Sequence, residues 1–447
     1  MLKYLLLSII PLSVFATDIS ECIHLLNRTS FGVDKKQLSV CLQSKNYKQA
    51  VKKILSHSTG IEDETAPLYA QKPSRPHKKF SKLNASERNA FQKIRRKEWA
   101  KLRALWFKKM LKTEDPFLEH MVLFWHNHFT SGLKKTKHPM VMYQQNMLFR
   151  KHAFGNYAKL LHAIVEDPAM LIYLDNRVNK KGHPNENLGR EFLELFTMGE
   201  GNYSEKDIQE LSRALTGYSL NRNLKFRFKK KLHDSGKKQI FGHEGNFDAH
   251  DMIDIILEQN ATSRHIVKKL WYHYVSYDID ESELGRLSRL LKEQNYEIRP
   301  LLFAILTSKH FRDPAVRGTM IKSPIELTVG TLRTFGYKDF DPVLGVQYAK
   351  RLGQLLLDPP NVKGWKGGKN WIDANTLLLR KGFLSKLTRG DEMQKLRYDL
   401  FDLTQAGKTE EERVAKILLP INVYLTPSNN FKQTIRTILQ HPLYQLK

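Results

Sequence analysis

The stretch MVLFWHNHFTS, residues 121–131, decides how the chain is read. With the residues before it, it forms a dense apolar run from 116 to 129 that ends on His126 and His128, with an asparagine between them. The spacing predicts a helix with a polar end set against the core. Residues two apart on a helix point about 200° apart, so His126 and His128 do not share a metal ion. At most one of the two is a metal ligand. Glu119, seven positions before His126, lies on almost the same face and is its natural partner. The letters H-N-H are not the nuclease motif of that name, whose residues are spread along a ββα-metal unit. A lone histidine on an apolar helix is more often a hydrogen-bonded core residue than a ligand.

Helical spacing continues on both sides of this run. Helices are expected near 19–30, 34–56, 86–112, 140–153, 156–166, 186–198, 205–216, 249–258, 262–276, 281–294, 298–308, 323–335 and 345–357. Weaker ones are expected at 371–388, 410–418 and 430–440. One segment changes period: Leu224, Phe226 and Phe228 alternate with Lys225, Arg227 and Lys229, and Asp234-Ser235-Gly236 makes a turn before Gln239–Phe241. The fold class is therefore mainly α, a multi-helix globular body with a small inserted β-hairpin.

Residues 1–16 read as a signal peptide, with Lys3, the apolar stretch Leu5–Phe15, and Val14 and Ala16 ahead of a cleavage before Thr17. That makes the protein exported, periplasmic or extracellular, with no transmembrane segment in the mature chain. In an oxidising compartment Cys22 and Cys41 would close a loop of about 20 residues, a disulfide worth ~3 kcal/mol. Two free buried thiols are the alternative.

The formal charge of the 447 residues is +27. For an exported protein this points to an acidic polymer, a polysaccharide or lipid headgroups, and makes nucleic acid an unlikely partner. Residues 71–112 hold fifteen Lys or Arg against Glu87 and Glu98, a net +13, on a helix whose apolar stripe runs from Phe91 to Met110. That basic segment is either a solvated face or an anion-binding one.

Three further stretches carry candidate chemistry. In HPNENLGREFLELFTMGEGNY (183–203) the helix would put Asn187, Arg190, Glu191 and Glu194 opposite its apolar side. Glu191 and Glu194, one turn apart, suit general acid–base work or oxygen ligation of one divalent metal. An ordinary charged face is the plainer reading. His233 and Asp234, with Lys238 after them, could orient an acid–base group at the hairpin turn. DPPNVKGWKGGKNW (358–371) sets Trp365 and Trp371 beside Lys363, Lys366 and Lys369, a pattern for stacking on sugars and holding an anion, or for pinning a loop to the core.

Taken together, HLLNRTSFG (24–32), MVLFWHNHFTS, NENLGREFLELFTMGEGNYSEKDIQELSRALTGY (185–218), HDSGKKQIFG (233–242), SPIELTVGTLRTFG (323–336) and LGQLLLDPPNVKGW (352–365) resemble the bacterial family catalogued as domain of unknown function 1800. The resemblance covers about 22 to 390, so 17–390 is expected to be the family's helical domain and 391–447 a C-terminal extension of the same body. Tyr218 stands where the family's tryptophan is expected, and the basic segment is heavier than usual. The resemblance implies export and a partner from another exported family, 1501, but no established reaction.

The expectation from all this is a hydrolase or other acid–base enzyme acting on an anionic envelope or extracellular polymer. Glu191 or Glu194 would be the base, with His126 or His128 and His233–Asp234 nearby. Arg190 and Lys238 would hold an anion, and Trp365 would be a stacking platform. The rival is a surface-assembly scaffold that docks an acidic partner through its basic segment.

Overall fold

The computed structural model describes residues 17–56, 65–76, 78–403, 409–423 and 430–447; the expected leader, residues 1–16, lies outside them. At its centre stands the helix Pro116–His128, in which every residue except Asn127 is buried. Its start is written locally. Asp115 caps it by accepting from the Leu118 amide at 3.0 Å, and Pro116 takes the first position, where no amide hydrogen is needed. A helix apolar on all sides is stable only when surrounded. The helices Pro139–His152, Ala85–Lys112 and Ile19–Thr29 do this, and Pro324–Thr334 and Pro342–Arg351 pack on Ala85–Lys112.

Most expected helices are present, and the body is mainly α. The expected helix 34–56 is two, Lys35–Leu42 and Tyr47–Ser56, because Asn46 accepts from the Gln49 amide at 2.9 Å and starts the second. The 186–198 stretch begins as Asn187–Glu191 and widens into a π-helix over Phe192–Thr197, where the Met198 amide reaches the Leu193 carbonyl at 2.8 Å. Pro168–Tyr173 is a short helix that its spacing does not announce.

The hairpin expectation needs correction in its pairing. Phe226–Phe228 runs antiparallel to Tyr218–Leu220, and Lys238–Ile240 pairs separately with His243–Gly245. Phe241 and Gly242 both have positive φ, 45° and 84°, which makes the tight two-residue turn of the second hairpin.

Cys22 and Cys41 form a disulfide between the first two helices. The turn after the first helix lies against Pro324–Thr334 with backbone on backbone, since a Cβ on Gly330 would collide with the Phe31 carbonyl oxygen. Residues after 430 return to the same place: the Lys322 amide donates to the Gln445 carbonyl and the Lys447 amide to the Met320 carbonyl, both at 2.8 Å. Among the described residues no helix is long and apolar enough to cross a membrane.

Candidate functional site

Ser323 and Pro324 start a helix whose Glu326 bends back to the cap, its Oε2 accepting from the Ser323 amide at 2.7 Å. That leaves Oε1 to face inward. There it accepts from His120 Nε2 at 2.9 Å and from the Lys447 ammonium. His120 belongs to the central helix and is fully buried; its Nδ1 lies 3.3 Å from Nε2 of His273.

The hydrogens follow from the chemistry of the partners. A carboxylate only accepts, so His120 carries its hydrogen on Nε2 and keeps a lone pair on Nδ1. His273 must then donate from Nε2, which leaves a lone pair on its own Nδ1. That nitrogen has no partner among the described residues and is not sealed from solvent. The His273 ring lines a cleft of about 300 Å³.

Electrostatics favour the same arrangement. Burial would raise the Glu326 carboxyl, but the Lys447 charge and the His120 contact outweigh it and hold it well below its ordinary range. Burial lowers His120, with Glu326 opposing. His273 is held well below 6.5, first by burial and then by His120 and Lys447. At neutral pH the chain is one carboxylate and two neutral imidazoles.

The cleft is cationic. Lys269 and Lys366 line it and have no ion-pair partner among the described residues; Lys363, at the rim, meets Glu194 Oε1 at 3.2 Å. Lys269 and Tyr272 also line a second cleft, of about 410 Å³, which adds Arg264 and Lys268.

One wall is the loop that carries Trp365 and Trp371, and Asn127 holds it. The Trp365 amide donates to Asn127 Oδ1 at 2.7 Å, and Asn127 Nδ2 donates to the Trp365 carbonyl at 3.4 Å. Gly364 has φ 76° and lies against Asn127, where a Cβ would collide. Both tryptophans are under one-tenth exposed, so they shape the cleft but offer no open ring face for stacking.

The residues expected from sequence fall into separate places. His128 lines the cleft, but its Nε2 donates to the Phe196 carbonyl at 3.1 Å and its ring sits among aromatics. His126 is buried, edge-on to Trp106, with no partner for Nε2, and burial takes it down to about 3. Glu119 does not meet it. Seven residues is ~10.5 Å along a helix, and Glu119 instead accepts from Arg150 Nε and Nη2, each at 2.8 Å, and from Trp106 Nε1 at 3.0 Å.

Glu191 is partly buried and raised by burial and by Glu194, whose other oxygen meets Tyr203 at 3.3 Å. Neither glutamate lines the cleft; Glu194 reaches its rim through Lys363. Arg190 is committed on the surface to Glu205, at 2.8 and 2.7 Å, and to Glu186 at 3.1 Å, with Asn187 exposed nearby. At the hairpin, His233 Nδ1 donates to the Thr216 carbonyl at 2.9 Å. Asp234 is held at about 2, chiefly by Arg213 at 2.8 Å. Lys238 donates to the Asp234 carbonyl at 2.6 Å and the Gly236 carbonyl at 3.1 Å. That turn is satisfied internally, and Arg190 and Lys238 are not free to hold an anion.

Among the described residues no group of three or more His, Cys, Asp or Glu is arranged to hold a metal ion, so the divalent metal expected with a carboxylate–histidine set has no ligand set there. The residues that do converge, His120, His273, Glu326, Lys269 and Lys447, were not singled out by sequence. Glu326 reads as a helix cap in S-P-I-E, and His273 in WYHYV reads as part of an aromatic core face.

A family model described as "Protein of unknown function (DUF1800)" matches residues 24–446, reaching well past 390. No curated protein and no solved structure matches the chain.

Proposed function

Because the chain belongs to the DUF1800 family, whose description assigns no activity, its function has to come from its own side chains, and we propose that it is an exported acid–base enzyme acting on an anionic envelope or extracellular polymer. The observation that carries this reading is the Glu326–His120–His273 chain, ending in an imidazole with an unpartnered nitrogen at a cleft lined by the unpaired Lys269 and Lys366. Acidic groups of the substrate settle against Lys269 and Lys366. His273 Nδ1 then takes a proton, from an attacking water in hydrolysis or from the substrate in elimination. The imidazolium so formed donates to His120, which in turn donates to Glu326, so the new charge is shared with a buried carboxylate. Lys447 keeps that carboxylate ionised before the proton arrives. The second cleft beyond Lys269 gives an extended substrate more room than a small molecule needs. Export is supported by the apolar residues near the start of the chain and by the Cys22–Cys41 disulfide, which suits an oxidising compartment.

The test is turnover of acidic polysaccharides, reading new reducing ends for hydrolysis and ultraviolet absorbance of unsaturated ends for elimination. His273→Ala, with circular dichroism unchanged, should lower the rate about 10²–10⁴-fold. Because His273 is held below 6.5, the wild-type rate should persist into mildly acidic buffer. A His273→Ala protein as fast as wild type, or a wild type inert on every acidic polymer, removes this reading.

A further inference from the structure

The helix Ala85–Lys112 contains no buried residue from Ala85 to Lys101; its buried side chains begin at Leu102. Over these seventeen residues, ~25 Å of helix, only Trp99 packs partly against the core, and the outer face is left to solvent. The sequence does not make this stretch polar to match. Ile94 is 56% exposed and Phe80, just ahead of the helix, 44%. Half-buried Phe91 lies beside them, its ring 6.5 Å from that of Phe80 and its position one turn before Ile94.

Cations surround these groups. Residues 78–101 hold nine Lys or Arg against Glu87 and Glu98, a net +7. Both glutamates have other contacts: Glu87 closes the capping box with Asn84 and meets Lys78 at 3.2 Å, and Glu98 accepts from Ser74 at 2.6 Å. Arg88 lies over Phe80 at 5.8 Å and Arg95 over Phe91 at 5.6 Å, so aromatic and cationic groups share one surface. Ile94, Lys97 and Lys101 recur at i, i+3 and i+7 along one face.

We propose that the outer face of this segment docks the protein on an anionic lipid bilayer, with Phe80, Phe91 and Ile94 entering the headgroup boundary and Lys97 and Lys101 against lipid phosphates. A soluble polyanion would satisfy the lysines and leave Phe80 and Ile94 in water. A bilayer surface takes both kinds of group at once, and long lysine stems let the charge stay at the phosphates while the methylenes go deeper. The segment is on a different element from the His273 cleft, so the two proposals stand or fall separately.

The experiment is co-sedimentation of the full chain with vesicles of phosphatidylcholine, with and without phosphatidylglycerol. The protein should sediment with the anionic vesicles and remain free with the neutral ones. Phe80→Ser/Ile94→Ser and Lys97→Glu/Lys101→Glu should each weaken partitioning at least about tenfold, as expected where burial and charge act together. These positions are exposed, and unchanged melting of both variants would show intact folding. Equal binding by wild type and either variant overturns the proposal. So does tight binding to heparin with none to vesicles, which would mark the surface as a soluble-polyanion site.

Discussion

Asp167 caps the helix Pro168–Tyr173, taking the Met170 amide and the Gln145 side-chain amide, both at 2.8 Å, in a buried setting. Burial pushes its carboxyl up to about 7. In the unfolded chain an aspartate titrates near 4. The folded state therefore holds the proton more tightly, and the stability this gives is present in full below about pH 4 and is lost as pH rises through about 7. Asp167→Asn keeps an acceptor for the cap and never ionises. It should raise the melting temperature at pH 8 and leave it unchanged or lower at pH 4, so that the variant's curve is flatter across that range. Parallel curves for the two proteins would show that Asp167 stays ionised at no cost. The same residue-scale physics explains why the site was only partly legible. Lys363, Lys366, Trp365 and His128 were singled out and do border the cleft. Glu326, His120 and His273 were not, because their roles depend on which atoms meet across 153 and 206 residues of sequence. Spacing within one segment carries no trace of that. Asn127, lying in plain view between two histidines, clamps the Trp365 loop, a function a sequence letter does not express.

At the scale of elements, the placing of Glu326 depends on how closely Pro324–Thr334 approaches the turn after Ile19–Thr29. Gly330 is the contact point, and its missing side chain lets the helix lie on the Phe31 carbonyl. Gly330→Ala should cost several kcal/mol, as an overpacked core site does in about the 1–3 kcal/mol range or more, because backbone on both sides has to move. Gly382→Ala is the control, in a helix with nothing within 4 Å of the added methyl, and should be neutral or slightly stabilising. Melting curves of the two variants separate close approach from mere helix propensity; equal behaviour would mean the first contact yields without strain. Helix positions were legible because a 3.6-residue period needs only local information, as in Ile298–Leu306 or Glu410–Leu418. Strand pairing was not. Asp234-Ser235-Gly236 reads as a hairpin turn, yet Asp234 grips Arg213 and the Gly236 amide, and the true turn is Phe241-Gly242, a pair that composition does not favour. The π-helix after Glu191 escaped for a related reason: its backbone bonds reach one residue beyond helical spacing, as where the Met198 amide donates to the Leu193 carbonyl at 2.8 Å.

Across the whole molecule, distant parts of the chain meet at the cleft. Arg28, on the first helix, donates to the Val275 carbonyl at 2.9 Å and the Tyr274 carbonyl at 3.3 Å, fixing the end of the helix that carries His273. The Cys22–Cys41 disulfide braces that first helix against the next. From the other direction, Leu446 bridges to Ile321 and Lys447 neutralises Glu326. The site therefore does not exist until segments about 300 residues apart in sequence have come together, which makes folding slow relative to its helical content. This arrangement also predicts how the molecule melts. If residues 391–447 were a separate unit, calorimetry would give a second transition, and removing 441–447 would leave the main one in place. The contacts at Met320, Lys322 and Glu326 argue otherwise. One cooperative transition is expected, and deleting 441–447 should lower it by several degrees, since a buried carboxylate that loses its cation costs about 3–5 kcal/mol. Adding Glu326→Gln to the shortened chain removes the stranded charge and should recover part of the loss. Recovery would tie the effect to the Lys447–Glu326 pair, and no recovery would assign it to the lost packing of Leu443 and Tyr444.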